Sequence, residues 1–398
     1  MTLPVVKIGV VGLGNIGQLH LKYVSEMANV ELVGVCDVDQ ERANRYAEMY
    51  NAKAYPSPSE LLAHSGLDVV IIAVPHYDHP AIAIEAFERG IHVMCEKPIA
   101  VHVNDANRMI QAYEAAKLNH PGLQFAIMFQ ERTLPFYAKL KEIVASGELG
   151  QLTRATWIHT KWFRSQAYYN SGGWRATWAG EGGGILTNQC PHTLDMYQWL
   201  FGLPSLISGH AHIGKYHDIE VEDEVTAYLE HANGMVGHLI VTTAELPGTN
   251  RLEIVGDLGK LILENGKLLH FKYPQPLLAF SRETDQHFAT WTLEPEEVDV
   301  DTTIPTGHEV VTRRLVDRLL GQDVELIAEG PEGLGAVTLA NGIMLSSFEK
   351  RPVAVPIDGD AYQAHLEEKI QTSTFVKQVL TAPVVVSDMS ASFGSNNG

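Results

Sequence analysis

The stretch that most limits what this chain can become is Lys7 to Gly17, K-I-G-V-V-G-L-G-N-I-G. Lys7 to Val11 is a β-branched run with the composition of a strand buried on both faces. Gly12, Gly14 and Gly17 follow in G-x-G-x-x-G spacing, with Asn15 and Ile16 between them. Leu19, His20, Tyr23, Val24 and Met27 then continue at helical spacing. Each glycine answers a steric need: a tight turn at Gly12, backbone approach to a pyrophosphate at Gly14, close helix–strand packing at Gly17. The helix N-terminus offers N–H groups and a positive dipole end to the phosphates. A second apolar run, Val30 to Cys36, ends in Asp37, 20 positions past Gly17, where a carboxylate can accept from ribose hydroxyls. Asp37 repels a 2′-phosphate and no Arg follows it at once, so NAD is expected rather than NADP. Strand, turn, helix and acid together predict a dinucleotide site.

The pattern continues. Helical segments at Gln40–Tyr50, Glu60–His64 (capped by Ser59), His79–Arg89 and Val103–Lys117 alternate with strands at Ala52–Tyr55, Leu67–Val74, Ile91–Cys95 and Leu123–Phe129. That alternation predicts an α/β domain with a doubly wound parallel sheet over residues 1–126. Ligands of such sheets bind at the carboxyl ends of strands. Val74-Pro75-His76, Glu96-Lys97-Pro98 and Gln130 fall at such ends and are expected to line one crevice. After Gln130 the rhythm changes. A helix at Leu134–Ser146, a strand at Thr153–Trp162 and a helix at Ile185–Phe201 precede strands at Ser208–Ile213, Asp223–Glu230, Met235–Thr243, Arg251–Gly256 and Gly259–Glu264. Asn233-Gly234 and Asn265-Gly266 are hairpin signals. Residues 127–370 are therefore expected to form an α+β domain on a large antiparallel sheet, with helices at His308–Leu320, Glu332–Phe348 and Gly359–Ile370. Such a sheet has one face to cover with helices and another to pair with a second subunit, which predicts a homo-oligomer. Residues 371–398 read as a tail with a disordered end.

Composition narrows the partners. Among 398 residues the net charge is −19, which argues against nucleic acid or an anionic membrane surface. No apolar run approaches bilayer-spanning length, and the N-terminus lacks signal-peptide character. Three isolated cysteines, Cys36, Cys95 and Cys190, read as reduced core residues, so a cytoplasmic protein is expected. The 18 histidines include His76/His79 and His210/His212, but no zinc-ligand pattern with a third partner, so no metal is expected.

Two further groups carry chemistry. Lys97, at a strand end facing the nicotinamide crevice, can donate to a substrate hydroxyl and stabilise an alkoxide. The segment G-G-G-I-L-T-N-Q-C-P-H-T-L-D, from Gly182 to Asp195, puts Asn188, His192 and Asp195 at i, i+4 and i+7, on one face if the helix is continuous. His192 can take a hydroxyl proton and Asn188 can hold substrate. The triple glycine would permit close approach of a ligand. Asp195 could orient the imidazole.

These motifs, K-I-G-V-V-G-L-G-N-I-G, Glu96-Lys97-Pro98 and Gly182 to Asp195, resemble the glucose–fructose oxidoreductase/inositol dehydrogenase/rhizopine catabolism (Gfo/Idh/MocA) family along nearly the whole chain to Ile370. The resemblance implies a Rossmann domain and an open-faced sheet domain that pairs into a homodimer or homotetramer. It implies a dehydrogenase of the CH–OH class, transferring hydride between a sugar, glycoside or polyol hydroxyl and nicotinamide. Lys97 matches the family's lysine and His192 its catalytic histidine, while Asn188 stands where the family often has Asp. Pro75, His76 and His79 resemble the segment over the nicotinamide. The aromatic stretch Trp162 to Trp178, with Arg164, Tyr168, Trp174 and Arg175, falls where relatives surround the sugar. The carbon oxidised does not follow from the residues; the resemblance points to C3. The alternatives are a non-catalytic NAD(P)-binding regulator and a reductase of nucleotide-linked keto sugars. Retention of both Lys97 and His192 speaks against the first, and the acidic balance gives the second little help.

Overall fold

A computed structural model describes residues 5–379. The chain divides into two compact units: the first runs to Leu134 and takes in Pro305–Val337, while the second comprises Pro135–Ile304 and the chain from Thr338. These boundaries differ from the expected division at 126/127 and 370, and the end of the expected tail, from 380 on, lies outside the described residues.

In the first unit six strands, β1 (Val6–Val11), β2 (Val30–Cys36), β3 (Lys53–Tyr55), β4 (Val69–Ile72), β5 (His92–Cys95) and β6 (Phe125–Ile127), lie in the order β3-β2-β1-β4-β5-β6. Every pair is parallel. This is the strand order of a Rossmann fold, with its switch point between β1 and β4. The continuous apolar runs follow from burial on both faces: Val69, Val70, Ile71 and Ile72 are all fully buried. One helix differs at its start. The helix Pro58–Leu62 is capped by Ser57, whose hydroxyl accepts the Glu60 N–H at 3.3 Å, rather than by Ser59, because Pro58 takes the first-turn position where no N–H is needed. Residues 305–337 join this unit through packing. Val311, Leu315 and Val316 of the helix His308–Leu319 enter the same core as Ile8, Val10 and Met94. Gly330 lies so close to the Phe125 ring that any side chain there would collide with it.

The second unit is built on nine strands, β7 (Leu152–His159), β8 (Leu206–Ile213), β9 (Glu222–Glu230), β10 (Val236–Thr242), β11 (Asn250–Gly256), β12 (Gly259–Glu264), β13 (Lys267–Lys272), β14 (Glu296–Glu297) and β15 (Val353–Ala354). Their order is β14-β13-β12-β11-β7-β10-β9-β8-β15, antiparallel except for β7 with β10. Alternation is clear on β9, where Val225, Ala227 and Leu229 are buried while Thr226, Tyr228 and Glu230 are exposed. Asn265 and Gly266 both have positive φ, as a two-residue hairpin between β12 and β13 requires. Tyr197 of the helix Pro191–Phe201 packs against Gly237 of β10, where a side chain would strike its hydroxyl, and that hydroxyl meets His231 Nε2 at 2.8 Å.

Candidate functional site

The glycine motif of the first unit divides its labour as its spacing demands. Gly12 has φ +88°, and a Cβ there would run into the Ala73 carbonyl, while one at Gly17 would run into the carbonyl of Gly12. A Cβ on Gly14 would meet nothing within 4 Å. Gly12 and Gly17 are demanded by packing; Gly14 leaves space at the N-terminus of the helix Asn15–Glu26, which begins at Asn15 and Ile16 with no acidic side chain in its first turn. That is the geometry a pyrophosphate requires. Asp37, buried at the end of β2, accepts the Leu13 N–H at 2.7 Å and the Asp39 N–H at 2.9 Å. Arg42, which the sequence reading passed over, brings Nη1 to 3.3 Å and 3.4 Å from its two oxygens. Its place in the first turn of the helix Gln40–Met49, five residues past Asp37, is the signal that could have found it.

The remaining expected cofactor residues gather at the ends of β4, β5 and β6. His79 is fully buried, with Nδ1 at 2.8 Å from the Pro98 carbonyl and Nε2 at 3.0 Å from that of Val74, so its ring braces two strand ends. Burial lowers its pKa, and a neutral ring donates to one of the two carbonyls. His76 lies edge-on to it, with ring centroids 6.0 Å apart. Pro75 precedes the short 3₁₀ turn His76–Asp78, and Gln130 opens another after β6. Glu96 accepts from His20 at 2.9 Å and takes the Lys97 N–H at 3.2 Å, while His308 Nε2 lies 4.0 Å away. Burial pushes the Glu96 carboxyl up, but the hydrogen bond from His20 and the positive potential of His20, His308 and Lys97 outweigh it and hold the group down at about 2. Burial brings His308 down to about 4, so it is charged in the acid range where Glu96 titrates and faces the carboxylate as a neutral ring at pH 7. This cluster, absent from the sequence reading, fixes the residue on which the Lys97 backbone rests.

In the second unit the expected single helix Ile185–Phe201 is two. Ile185–Asn188 ends before Gln189 and Cys190, and Pro191 starts the helix Pro191–Phe201. Proline has no N–H to continue the first ladder and favours a new first turn, so Asn188 does not share a continuous helical face with His192 and Asp195. The triple glycine has a packing cause. Gly182 has φ +79°, and a Cβ on Gly184 would strike the carbonyl of Glu222 on β9. The Glu222 carboxylate accepts the N–H groups of Gly184 at 2.9 Å and Leu186 at 3.0 Å, capping the turn from within. Burial, with the neighbouring Glu181 charge, raises this carboxyl to about 7 against the pull of its N–H donors.

Around Asn188 the side chains form a polar ring. Tyr168 donates to Asn188 Oδ1 at 3.3 Å, and Gln189 donates to both Tyr168 Oη and Asn188 Oδ1 at 3.0 Å. Arg175 donates to Tyr168 Oη at 2.6 Å, and Asn188 Nδ2 donates to the buried carboxylate of Glu181. The guanidinium groups of Arg164 and Arg175 stack over the Tyr168 ring at 5.0 Å and 4.4 Å, and Arg175 also lies 4.7 Å from the Trp174 ring. Arg164, Tyr168, Trp174, Arg175 and Asn188 are thus one assembly, with Gln189 and Glu181 as members that sequence reasoning missed. Trp162 and Trp178 are core, the first against His159 and the second against Phe348. His192 is 6 % exposed, and Asp195 accepts from Gln198 at 2.9 Å. No cluster of three or more metal-ligating side chains occurs among the described residues, and no helix there is long and apolar enough to cross a membrane. All three cysteines are buried free thiols.

Fold and glycine site define an NAD-binding Rossmann protein with an appended sheet domain. A family profile described as oxidoreductase family, NAD-binding Rossmann fold, matches residues 6–119, and that of the Gfo/Idh/MocA C-terminal domain matches 137–262. The chain belongs to the Gfo/Idh/MocA family. It is 32 % identical over 219 residues to a D-glucoside 3-dehydrogenase of Escherichia coli (strain K12), covering 53 % of this chain and 58 % of that protein. Glucose-6-phosphate 3-dehydrogenase of Bacillus subtilis (strain 168) is 32 % identical over 147 residues, 37 % of this chain and 40 % of its own. These matches therefore span about half the length of the relatives. The WlbA dehydrogenase of Bordetella pertussis, solved with NADH and UDP-GlcNAcA, superposes with TM-score 0.74 at 26 % identity over 89 % of this chain and 100 % of that one.

Proposed function

We propose that the chain is an NAD-dependent dehydrogenase of a sugar, glycoside or polyol, acting on a secondary hydroxyl, with C3 as the carbon. NAD supplies the hydride acceptor at its nicotinamide ring. Lys97 stabilises the developing alkoxide, His192 takes the hydroxyl proton, and Asn188 holds a neighbouring hydroxyl. The observation that carries this reading is the ring of alternating donors and acceptors around Asn188, flanked by aromatic and guanidinium planes, because hydroxyl-rich rings are bound by such mixtures. The two relatives named as 3-dehydrogenases support the position, and the bond from half-buried Asn188 to buried Glu181 supports a holding role. We assign the cofactor set as Gly12, Gly14, Asn15, Ile16, Gly17, Asp37, Val74, Pro75, His76, His79, Glu96, Lys97 and Gln130. The substrate set is Lys97, Arg164, Tyr168, Trp174, Arg175, Asn188 and His192.

A homo-oligomer is proposed through the face of the second sheet that exposes Tyr228 and Ile240, with light scattering as its check; the cytoplasm is the proposed compartment, on the buried free thiols. The likeness to an enzyme crystallised with a nucleotide sugar favours one second reading, a nucleotide-linked substrate. Absorbance of reduced nicotinamide decides between them. Protein with NAD⁺ is offered free sugars, glycosides, inositols, sugar acids and nucleotide sugars, with Lys97→Ala as control. Turnover on unlinked sugars that Lys97→Ala abolishes, while NAD affinity stays within a few-fold, supports the first reading. Turnover confined to nucleotide sugars moves it to the second, and wild-type rate in Lys97→Ala removes the role given to that lysine.

A further inference from the structure

The segment that follows the helix Gly359–Thr372 is tied to the loop carrying Tyr168, Trp174 and Arg175. Ser373 donates to the Glu220 carboxylate, which in turn accepts the Trp178 N–H at 3.0 Å. Four residues on, the Lys377 ammonium donates to two main-chain carbonyls, those of Tyr169 and Arg175. The peptide group between Arg175 and Ala176 is held at its other end too, because the Ala176 N–H donates to Glu181 Oε2 at 2.6 Å. One peptide plane is therefore gripped between a half-buried ammonium and a buried carboxylate. Its conformation explains why a grip is needed. Ala176 has φ +56°, a left-handed backbone that a residue with a Cβ keeps only where its surroundings hold it. Arg175 passes the constraint outward, donating to Tyr168 Oη at 2.6 Å and lying 3.8 Å from Glu181 Oε1. Charge-assisted bonds from an ammonium that reaches two carbonyls at once are stronger than neutral ones, and no neutral side chain of that length supplies both donors. Burial lowers the Lys377 pKa, and the Glu181 charge opposes that shift, which marks the two as an electrostatic pair.

We propose that Lys377 is a positioning residue of the carbohydrate site: together with Glu181 it pins the Arg175–Ala176 peptide and so sets Arg175 and Tyr168 for substrate. It does so from a segment beyond both family-matched stretches. The inference rests on the carbohydrate reading above, and its test separates the two. In the full chain, Lys377→Met and Lys377→Arg are compared by hydrogen exchange over residues 169–178, by calorimetry with NAD⁺, and by steady-state kinetics with the sugar that responds in the panel. Lys377→Met is expected to speed exchange at Ala176 and raise KM, each about tenfold or more, with the NAD Kd unchanged within about twofold. Lys377→Arg, which keeps charge and paired donors, recovers most of both. Lys377→Gln, neutral and too short to span both carbonyls, replaces Lys377→Met should that variant not fold. Unchanged exchange overturns the proposal, and faster exchange with unchanged KM overturns the link to substrate. Faster exchange reversed by arginine, in a protein that oxidises no sugar, upholds the pin and overturns the carbohydrate reading alone.

Discussion

A single carboxylate at Asp37 holds the glycine loop through Leu13, starts the next helix through Asp39, and carries Arg42 on its outer side. The guanidinium faces both ways in chemical terms: it neutralises part of the repulsion a 2′-phosphate would meet, yet it is itself held by the acid. Asp37→Ala removes the proposed ribose acceptor and leaves Arg42 for a phosphate, so the ratio of kcat/KM for NAD over NADP is expected to fall by about tenfold to a hundredfold, the worth of a charged hydrogen bond. An unchanged ratio would remove the ribose role. Asn188 and Glu181 make a second pair with a directional bond, amide to carboxylate. Asn188→Asp sets two carboxyls against each other in a buried place and is expected to cut kcat/KM for the sugar by about tenfold or more. Adding Glu181→Gln exchanges amide and acid across the same bond and should return part of that loss. If the double variant is no better than Asn188→Asp alone, the two side chains are not coupled.

Glycines that look alike in sequence differ once the elements they join are in place. A Cβ at Gly14 meets nothing, whereas one at Gly184 strikes the Glu222 backbone. Gly14→Ala is therefore expected to weaken NAD binding in calorimetry with little change in melting temperature. Gly184→Ala is expected to cost about 1–3 kcal/mol of stability, as overpacking does. Reversal of the two results would undo the assignment of space at Gly14 to the pyrophosphate. The same contrast explains what was legible beforehand. β1, β2, β4 and β5 were readable to within about two residues because parallel strands buried over most of their length are written as largely apolar runs that stop at Gly, Pro or acid. The run from Ile185 to Phe201 read as one helix because its apolar spacing continues across Pro191, and periodicity does not register a missing N–H. That residues 305–337 belong with the Rossmann sheet depends on Gly330 against Phe125 and on Val311 and Leu315 in a core made far earlier in the chain, for which no local signal exists. Arg42, Glu181, Glu222 and Lys377 escaped for a related reason: a charged residue declares its partner only after the chain has folded.

Over the molecule as a whole, buried ionisable groups pull the pH dependence of stability in opposite directions. His308 and His159 are pushed down by burial to about 4 and about 3, so each favours folding fully above pH 6.5 and less as pH falls toward its lowered value. Glu96, held at about 2, favours folding above pH 4.5 and loses that as pH drops further. Glu222 has the opposite sign. With a carboxyl at about 7 in the folded chain and the ordinary 4.5 in the unfolded one, the native state binds the extra proton between those values. Its contribution is thus complete below about pH 4.5 and is lost as pH rises through 7, with a ceiling of about 3 kcal/mol. Between about pH 4.5 and 6.5 one carboxyl opposes two histidines, so stability should be nearly level only near pH 7, fall as pH drops below about 6, and fall more steeply below about 4.5, where Glu96 joins the histidines. Glu222→Gln isolates the opposing term, since an amide keeps one acceptor for the Gly184 and Leu186 N–H groups and does not titrate. Urea unfolding of wild type and variant from pH 4.5 to 8 should show wild type losing ground to the variant by about 2–3 kcal/mol as pH rises. A constant difference would mean that Glu222 is ionised throughout, its two N–H donors outweighing burial, and that the turn leading to Asn188 is capped by a full negative charge.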